Sequence, residues 1–181
     1  MNFKLINLLG VVIFSWLSFI SDAQTLPIDA ETQRITWVET VSQDSLTKDQ
    51  LYDRAKRWLT IYYKNTTFDM DSKAIYTITK TGTFNIALTY DFKYKSQNTI
   101  TYSISISFKD GRYRYKITDV RFYPVSSGAK AQLNLETAYS KMTTQNKNET
   151  NVQVNKEINT VIADLKAYML KGEAPTTEED W

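Results

Sequence analysis

Hydrophobic and polar residues alternate with period two through the middle of the chain. Phe84, Ile86, Leu88, Tyr90 and Phe92 occupy one parity, and Asn85, Ala87, Thr89, Asp91 and Lys93 the other. The same code returns from Ile100 to Phe108, where Ile100, Tyr102, Ile104, Ile106 and Phe108 oppose Thr101, Ser103, Ser105 and Ser107. Successive side chains of a strand point to opposite faces, so both segments are predicted as strands with one buried face. Asp110-Gly111 then reads as a tight hairpin turn, because glycine tolerates positive φ. Beyond it Tyr113, Tyr115 and Ile117 alternate with Arg112, Arg114 and Lys116, and the strand is expected to continue through Val120 and Phe122 to Pro124. Shorter strands are read at Ile75–Thr79, with Gly82 as the turn after it, and at Arg34–Val41. Alternation this regular belongs to antiparallel strands that are wet on one face, since parallel strands covered on both faces read as continuous apolar runs. It also fixes register, because a one-residue slip would turn every large apolar side chain into water.

Two segments carry helical spacing instead. Thr47-Lys48-Asp49-Gln50 has the capping-box pattern, and Leu51, Ala55, Trp58, Leu59 and Tyr62 recur every three or four residues up to about Tyr63. The aromatics Tyr52, Trp58, Tyr62 and Tyr63 at this spacing read as core packing. Val154, Ile158, Val161, Ile162, Leu165 and Met169 form a second stripe, ending near Lys171-Gly172 with a basic residue in the last turn and glycine beyond. Residues 124–150 are rich in Ser, Thr, Asn and Gln, with a short helix expected around Leu133 to Met142. The predicted class is α+β: a single antiparallel sheet of about five strands with two main helices packed on one face.

The N-terminus changes the picture of where this unit works. Lys4 precedes an apolar run from Leu5 to Ile20, and Ser21-Asp22-Ala23 supplies the small residues of a cleavage site before Gln24. A helix over that run would reach about 24 Å, short of the roughly 30 Å hydrocarbon core of a bilayer. Residues 1–23 are therefore read as a signal peptide, 24–172 as one α+β domain and 173–181 as an acidic tail. No later segment is apolar enough to span, so no stable membrane span is expected after cleavage. With no cysteine, stability must come from packing without disulfides, which tilts the destination towards a bacterial periplasm or exterior. The sequons at Asn65 and Asn148 are read as coincidence in such a host.

Composition removes several kinds of chemistry. The chain has no histidine, so imidazole-based triads and the common zinc sites lack an essential member. Five glycines form no phosphate-cradling loop, and no cofactor-binding residue is assigned. A net charge of +2 is too near balance to imply a nucleic-acid partner. Asp69, Asp71 and Asp91 are the acids considered for paired-carboxylate hydrolysis, and Asp69 with Asp71 for calcium; all three read as ordinary solvated acids. No catalytic or metal-ligating residue is assigned.

The most distinctive polar feature is Arg112-Tyr113-Arg114-Tyr115-Lys116. Strand parity projects Arg112, Arg114 and Lys116 from the open face and sends both tyrosines to the other, where they cannot stack bases beside the arginines. The cations serve either as solubilising charges, with Asp91 and Asp119 as counter-ions, or as a binding face for an acidic polymer, glycan or protein.

Three strings resemble a known family: Leu26-Pro27 with Ile35-Thr36-Trp37, the helix from Leu51 to Leu59, and the strand from Tyr115 to Val120. They are similar to secreted Bacteroidetes proteins that carry a domain of unknown function with a TBP-like fold, over roughly Pro27 to Pro124. The resemblance implies a curved antiparallel sheet with helices on one side, in an exported or envelope-associated protein. It supplies no catalytic residue. Nor does the fold name imply DNA binding, since a fold does not fix a function and a DNA-reading sheet needs aromatic wedges and a clear positive excess.

The expected function is a non-enzymatic exported binding or envelope-accessory domain, with a protein or glycan of the cell envelope as partner. A hydrolase using dispersed carboxylates and a self-associating structural protein are the alternatives.

Overall fold

The computed structural model describes residues 25–91, 93–124 and 132–171. The expected signal peptide, the acidic tail and Phe92 lie outside the described residues. β1 (Trp37–Ser42) leads into α1 (Lys48–Tyr63), then a short β2 (Met70–Ser72) and three long strands, β3 (Thr77–Tyr90), β4 (Tyr94–Lys109) and β5 (Arg112–Pro124). β6 (Leu133–Asn134), α2 (Leu135–Ser140) and α3 (Thr144–Lys171) follow. The strands form one curved antiparallel sheet in the order β1-β5-β4-β3-β2, with β6 pairing the far end of β5.

Alternation divides the sheet as predicted, except that Tyr90 at the end of β3, expected on the buried face, is exposed where the strand runs out past the helices' cover. Leu88, Ile100, Ile104, Ile106 and Ile117 are fully buried against the helices, together with Leu51, Trp58 and Leu59 of α1 and Val154, Ile158 and Leu165 of α3. Ser103, Ser105, Ser107 and Thr89 take the other parity. The capping box starts α1 as expected, with Gln50 N donating to Thr47 Oγ1 at 3.3 Å and Thr47 N to Gln50 Oε1 at 2.9 Å. Its end is set by Lys64 in the left-handed region at φ 50°. α1 and α3 run antiparallel and are tied by Trp58 Nε1 donating to Asp164 Oδ1 at 2.6 Å and Arg54 Nη1 to Met169 O at 2.7 Å.

Four features differ from the sequence reading. Gly82 makes no turn: β3 runs unbroken through it, because its partner across the ladder is Tyr102, whose ring covers the space a side chain would fill. The segment around Asp69 and Asp71, where no strand is predicted, contributes β2. β5 changes parity at a bulge, where Thr118-Asp119-Val120 passes Tyr102 and Asp119 adopts φ 52°, so Ile117 and Val120 both face the core. α3 begins ten residues before Val154; its first turns bury Asn146, Thr150 and Asn151, polar residues that show no apolar stripe.

Candidate binding face on the open side of the sheet

Arg112, Arg114 and Lys116 stand exposed along one face of β5, separated by the buried Tyr113 and Tyr115. Residues two apart on a strand are about 6.6 Å apart, so the three cations form a row rather than a cluster. Register adds a member that the sequence reading missed. Arg112 pairs with Lys109 of β4, exposed on the same face, while Arg114 and Lys116 lie beside Ser107 and Ser105. The signal was present in the parity of Ser103, Ser105 and Ser107, which extends to Lys109. On the other flank, Arg112, Arg114 and Lys116 pair with Ser42, Thr40 and Val38 of β1.

The floor around the row is hydroxylic. Thr77 Oγ1 and Ser107 Oγ lie 3.0 Å apart, and Thr79 Oγ1 donates to Ser105 Oγ at 3.3 Å. A shallow groove of about 410 Å³ crosses this face, lined by Thr40, Ile75, Ser107, Lys109, Arg112 and Arg114 among others, with no carboxylate among the described residues of its wall.

The counter-ions suggested by sequence do not serve this row. Asp119 pairs instead with Arg121, with Oδ2 2.9 Å from Nη2, and Asp91 follows β3 at the opposite end of β4 from Lys109. Among the described residues Arg112, Arg114 and Lys116 make no ion pair. Asp29 feels Lys116 only weakly: its carboxyl is held below the usual range first by hydrogen bonds from Thr32, with the Lys116 charge the smallest contribution.

The acids considered for catalysis are engaged separately. Asp69 Oδ2 accepts from Thr81 Oγ1 at 2.7 Å. Asp71 accepts from Lys56 and from the Tyr52 hydroxyl, which together hold its carboxyl below the usual range, while burial and then Asp71 push Tyr52 up to about 12. The grooves beside α1 carry Asp53 as their carboxylate, without a second acid among the described residues of the wall. Among the described residues no group of three acids stands ready to hold a metal ion, and no helix is long and apolar enough to cross a membrane.

Residues 37–123, which carry the whole basic row, match the model of the family described as "Domain of unknown function (DUF4468) with TBP-like fold". By sequence and by fold, this segment is similar to the DUF4468 family. A crystal structure of a DUF4468 family protein from Bacteroides ovatus superposes with a TM-score of 0.64 at 12% identity, covering 86% of this chain and 94% of that one. A TBP-like protein from Parabacteroides distasonis gives 0.64 at 14% identity, covering 82% and 99%. At such identities the likeness to these two structures is one of fold. No curated protein matches the chain. The DUF4468-like sheet here differs from a nucleic-acid platform in one telling way: Tyr113 and Tyr115, the aromatics interleaved with the cations of β5, belong to the core and not to the open face.

Proposed function

We propose that this is a non-enzymatic, exported binding or envelope-accessory domain that uses its open sheet face to hold an acidic protein or glycan partner. The observation that carries the reading is the row Arg112, Arg114 and Lys116: three exposed cations on one face, without internal ion pairs among the described residues. Cations already neutralised by neighbours would offer a partner little, whereas a row of guanidinium and ammonium donors over a hydroxylic floor is suited to carboxylates and sulfates. Lys109 and the groove beside it extend the same surface. The apolar run and cleavage pattern of residues 1–23 support export to a periplasm or cell exterior.

The test is a pull-down against envelope proteins and a glycan array, with the mature chain and a variant carrying Arg112→Glu, Arg114→Glu and Lys116→Glu together. The reading expects an acidic partner that is captured by the parent and lost by the variant at physiological salt. Capture unchanged by the triple reversal overturns it.

A further inference from the structure

We infer that the outer edge of β1 takes up an extended acidic segment of a protein partner as an added strand, with Arg112, Arg114 and Lys116 reading its carboxylates. The inference rests on the binding role proposed above and adds the partner's chemistry and its mode of docking.

The register of β1 shows which amides are available. Gln43 N donates to Gly111 O at 2.7 Å, and the pairs from Ser42 with Arg112 to Trp37 with Ile117 continue that phase. In an antiparallel ladder every second residue bonds to the same neighbour. Trp37, Glu39 and Val41 therefore bond to β5, and Val38, Thr40 and Ser42 direct N–H and C=O outward. Thr36 confirms the phase, because its N–H bonds outward to Pro27 O at 2.9 Å, beside the bridge between Ile28 and Ile35. Among the described residues that lead-in bonds to the edge only as far as Thr36. Past it, Val38, Thr40 and Ser42 are exposed, with no backbone partner on the outer side among the described residues.

Edge strands are normally blunted by proline, lysine, a bulge or a covering element. Among the described residues Trp37–Ser42 has no proline, lysine, bulge or covering strand, and its one charged residue, Glu39, lies on the Trp37 side of the strand, bound by Tyr115 and Lys166. The opposite edge is treated differently. β2 covers Thr77 to Thr79, while Gln153 and Glu149 of α3 bond the outward backbone of Ala87 and Thr89. The uncovered stretch of β3 between them presents Thr81, Thr83 and Asn85 beside Ser103, Thr101 and Thr99 on the open face, and its cation, Lys80, is buried on the other face. Of β1 and the uncovered stretch of β3, β1 is the one whose outward amides lie beside an exposed cationic row among the described residues.

Charge complementarity selects the occupant. A strand added to β1 lies about 4.8 Å beyond it and roughly 10 Å from β5. Thr40 and Ser42 are short, so a glutamate on the added strand and an arginine on β5 meet above them, each spanning half the gap. The added segment should therefore carry acids at every second position, facing the open side. Its alternate side chains flank Glu39 and Val41, where Glu39 is already held by Tyr115 and Lys166. The β1 edge of a second copy offers β1 no such acids, since Val38, Thr40 and Ser42 occupy those positions in it. This is strand addition with electrostatic selection.

The probe is a fluorescent, end-blocked heptapeptide of alternating glutamate and valine, added to the mature chain and followed by anisotropy and amide hydrogen exchange. It is compared with the same peptide N-methylated on the amides that face β1, and with polygalacturonate as a carboxylated polysaccharide. Expected are saturable binding of the parent peptide, slowed exchange at Val38, Thr40 and Ser42, and at least tenfold weaker binding on N-methylation, on Thr40→Pro and on Arg114→Glu. Thr40→Pro removes an outward N–H together with the Thr40 side chain, and the N-methylated peptide isolates the amide contribution on unaltered protein. Equal binding of parent and N-methylated peptides, with loss on Arg114→Glu, overturns strand addition and leaves the basic-face role standing. Binding of polygalacturonate without binding of the peptide does the same. Binding of neither probe overturns both, and light scattering that shows dimers blocked by Thr40→Pro assigns the edge to a second copy and overturns the inference.

Discussion

Gly82 lies directly beneath the ring of Tyr102: a Cβ built on Gly82 would stand 2.2 Å from Tyr102 Cζ. The ring is held there from above, its hydroxyl 2.9 Å from that of Tyr63 at the end of α1. One missing side chain thus lets the sheet and α1 join through a tyrosine pair. Gly82→Ala should force the ring aside and cost about 1–3 kcal/mol, the usual range for overpacking a core. Urea denaturation at unchanged m-value would record it, and a neutral result would show that the ring has room to move.

The spacing of α3 matches the edge of β3. Glu149 and Gln153, four residues apart on a helix, are separated by about 6 Å along its axis; Ala87 and Thr89, two apart on a strand, by about 6.6 Å. Gln153 both accepts from Ala87 N and donates to Ala87 O, each at 2.8 Å, imitating a neighbouring strand, and Glu149 accepts from Thr89 N and Oγ1. Gln153→Ala should speed hydrogen exchange at Ala87 and Thr89 selectively and cost about 1 kcal/mol. It should also raise the tendency to aggregate through the uncovered edge, read by light scattering on concentration.

Burial sets an alkaline limit on stability. It is the main cause that pushes Tyr52, Tyr102 and Tyr113 from 10.0 up to about 12, and Tyr63 and Tyr115 are also driven up by burial first. A phenol with a raised folded pKa contributes stability that is complete below pH 10 and is lost as pH rises towards 12. Unfolding should therefore set in over that window, with phenolate absorbance from these tyrosines appearing together with loss of the native circular dichroism.

An acid limit comes from the β1 side of the sheet. Glu39 is held below its ordinary 4.5 by the Lys166 amine first and the Tyr115 hydroxyl second. A lowered carboxyl pKa contributes stability above the unfolded value that disappears as pH falls through the folded one. Glu39→Gln should flatten the fall in stability below pH 4.5, while at neutral pH the variant is less stable than the parent. Thermal melts across the acid range would measure both.

Which parts of this fold were legible in the sequence follows from which forces write themselves into a pattern. Period-two alternation from Phe84 onward specified the buried face of β3, β4 and the first half of β5, because burial acts on side chains one by one. The bulge at Asp119 left no glycine to mark it, so the parity change before Val120 was seen only as a continuing strand. Gly82 looked like a turn because a missing side chain is equally suited to positive φ and to close approach. Glu149 and Gln153 were invisible as edge covers since they bond to backbone, which every sequence has. The row Arg112, Arg114 and Lys116 was found by parity alone, but Lys109 and the open amides of β1 depend on which strands are neighbours, and no local pattern encodes that.

The most direct test of an open, cationic sheet face uses the absence of native cysteine. Single cysteines are placed at Arg112→Cys, Arg114→Cys, Lys116→Cys and Tyr115→Cys, and their reaction rates with anionic and cationic thiol reagents of equal size are compared at low and high salt. The account predicts ready labelling at positions 112, 114 and 116, faster with the anionic reagent by a margin that salt erases, and protection at 115. Protection at 114, or equal rates for the two reagents at low salt, would contradict it.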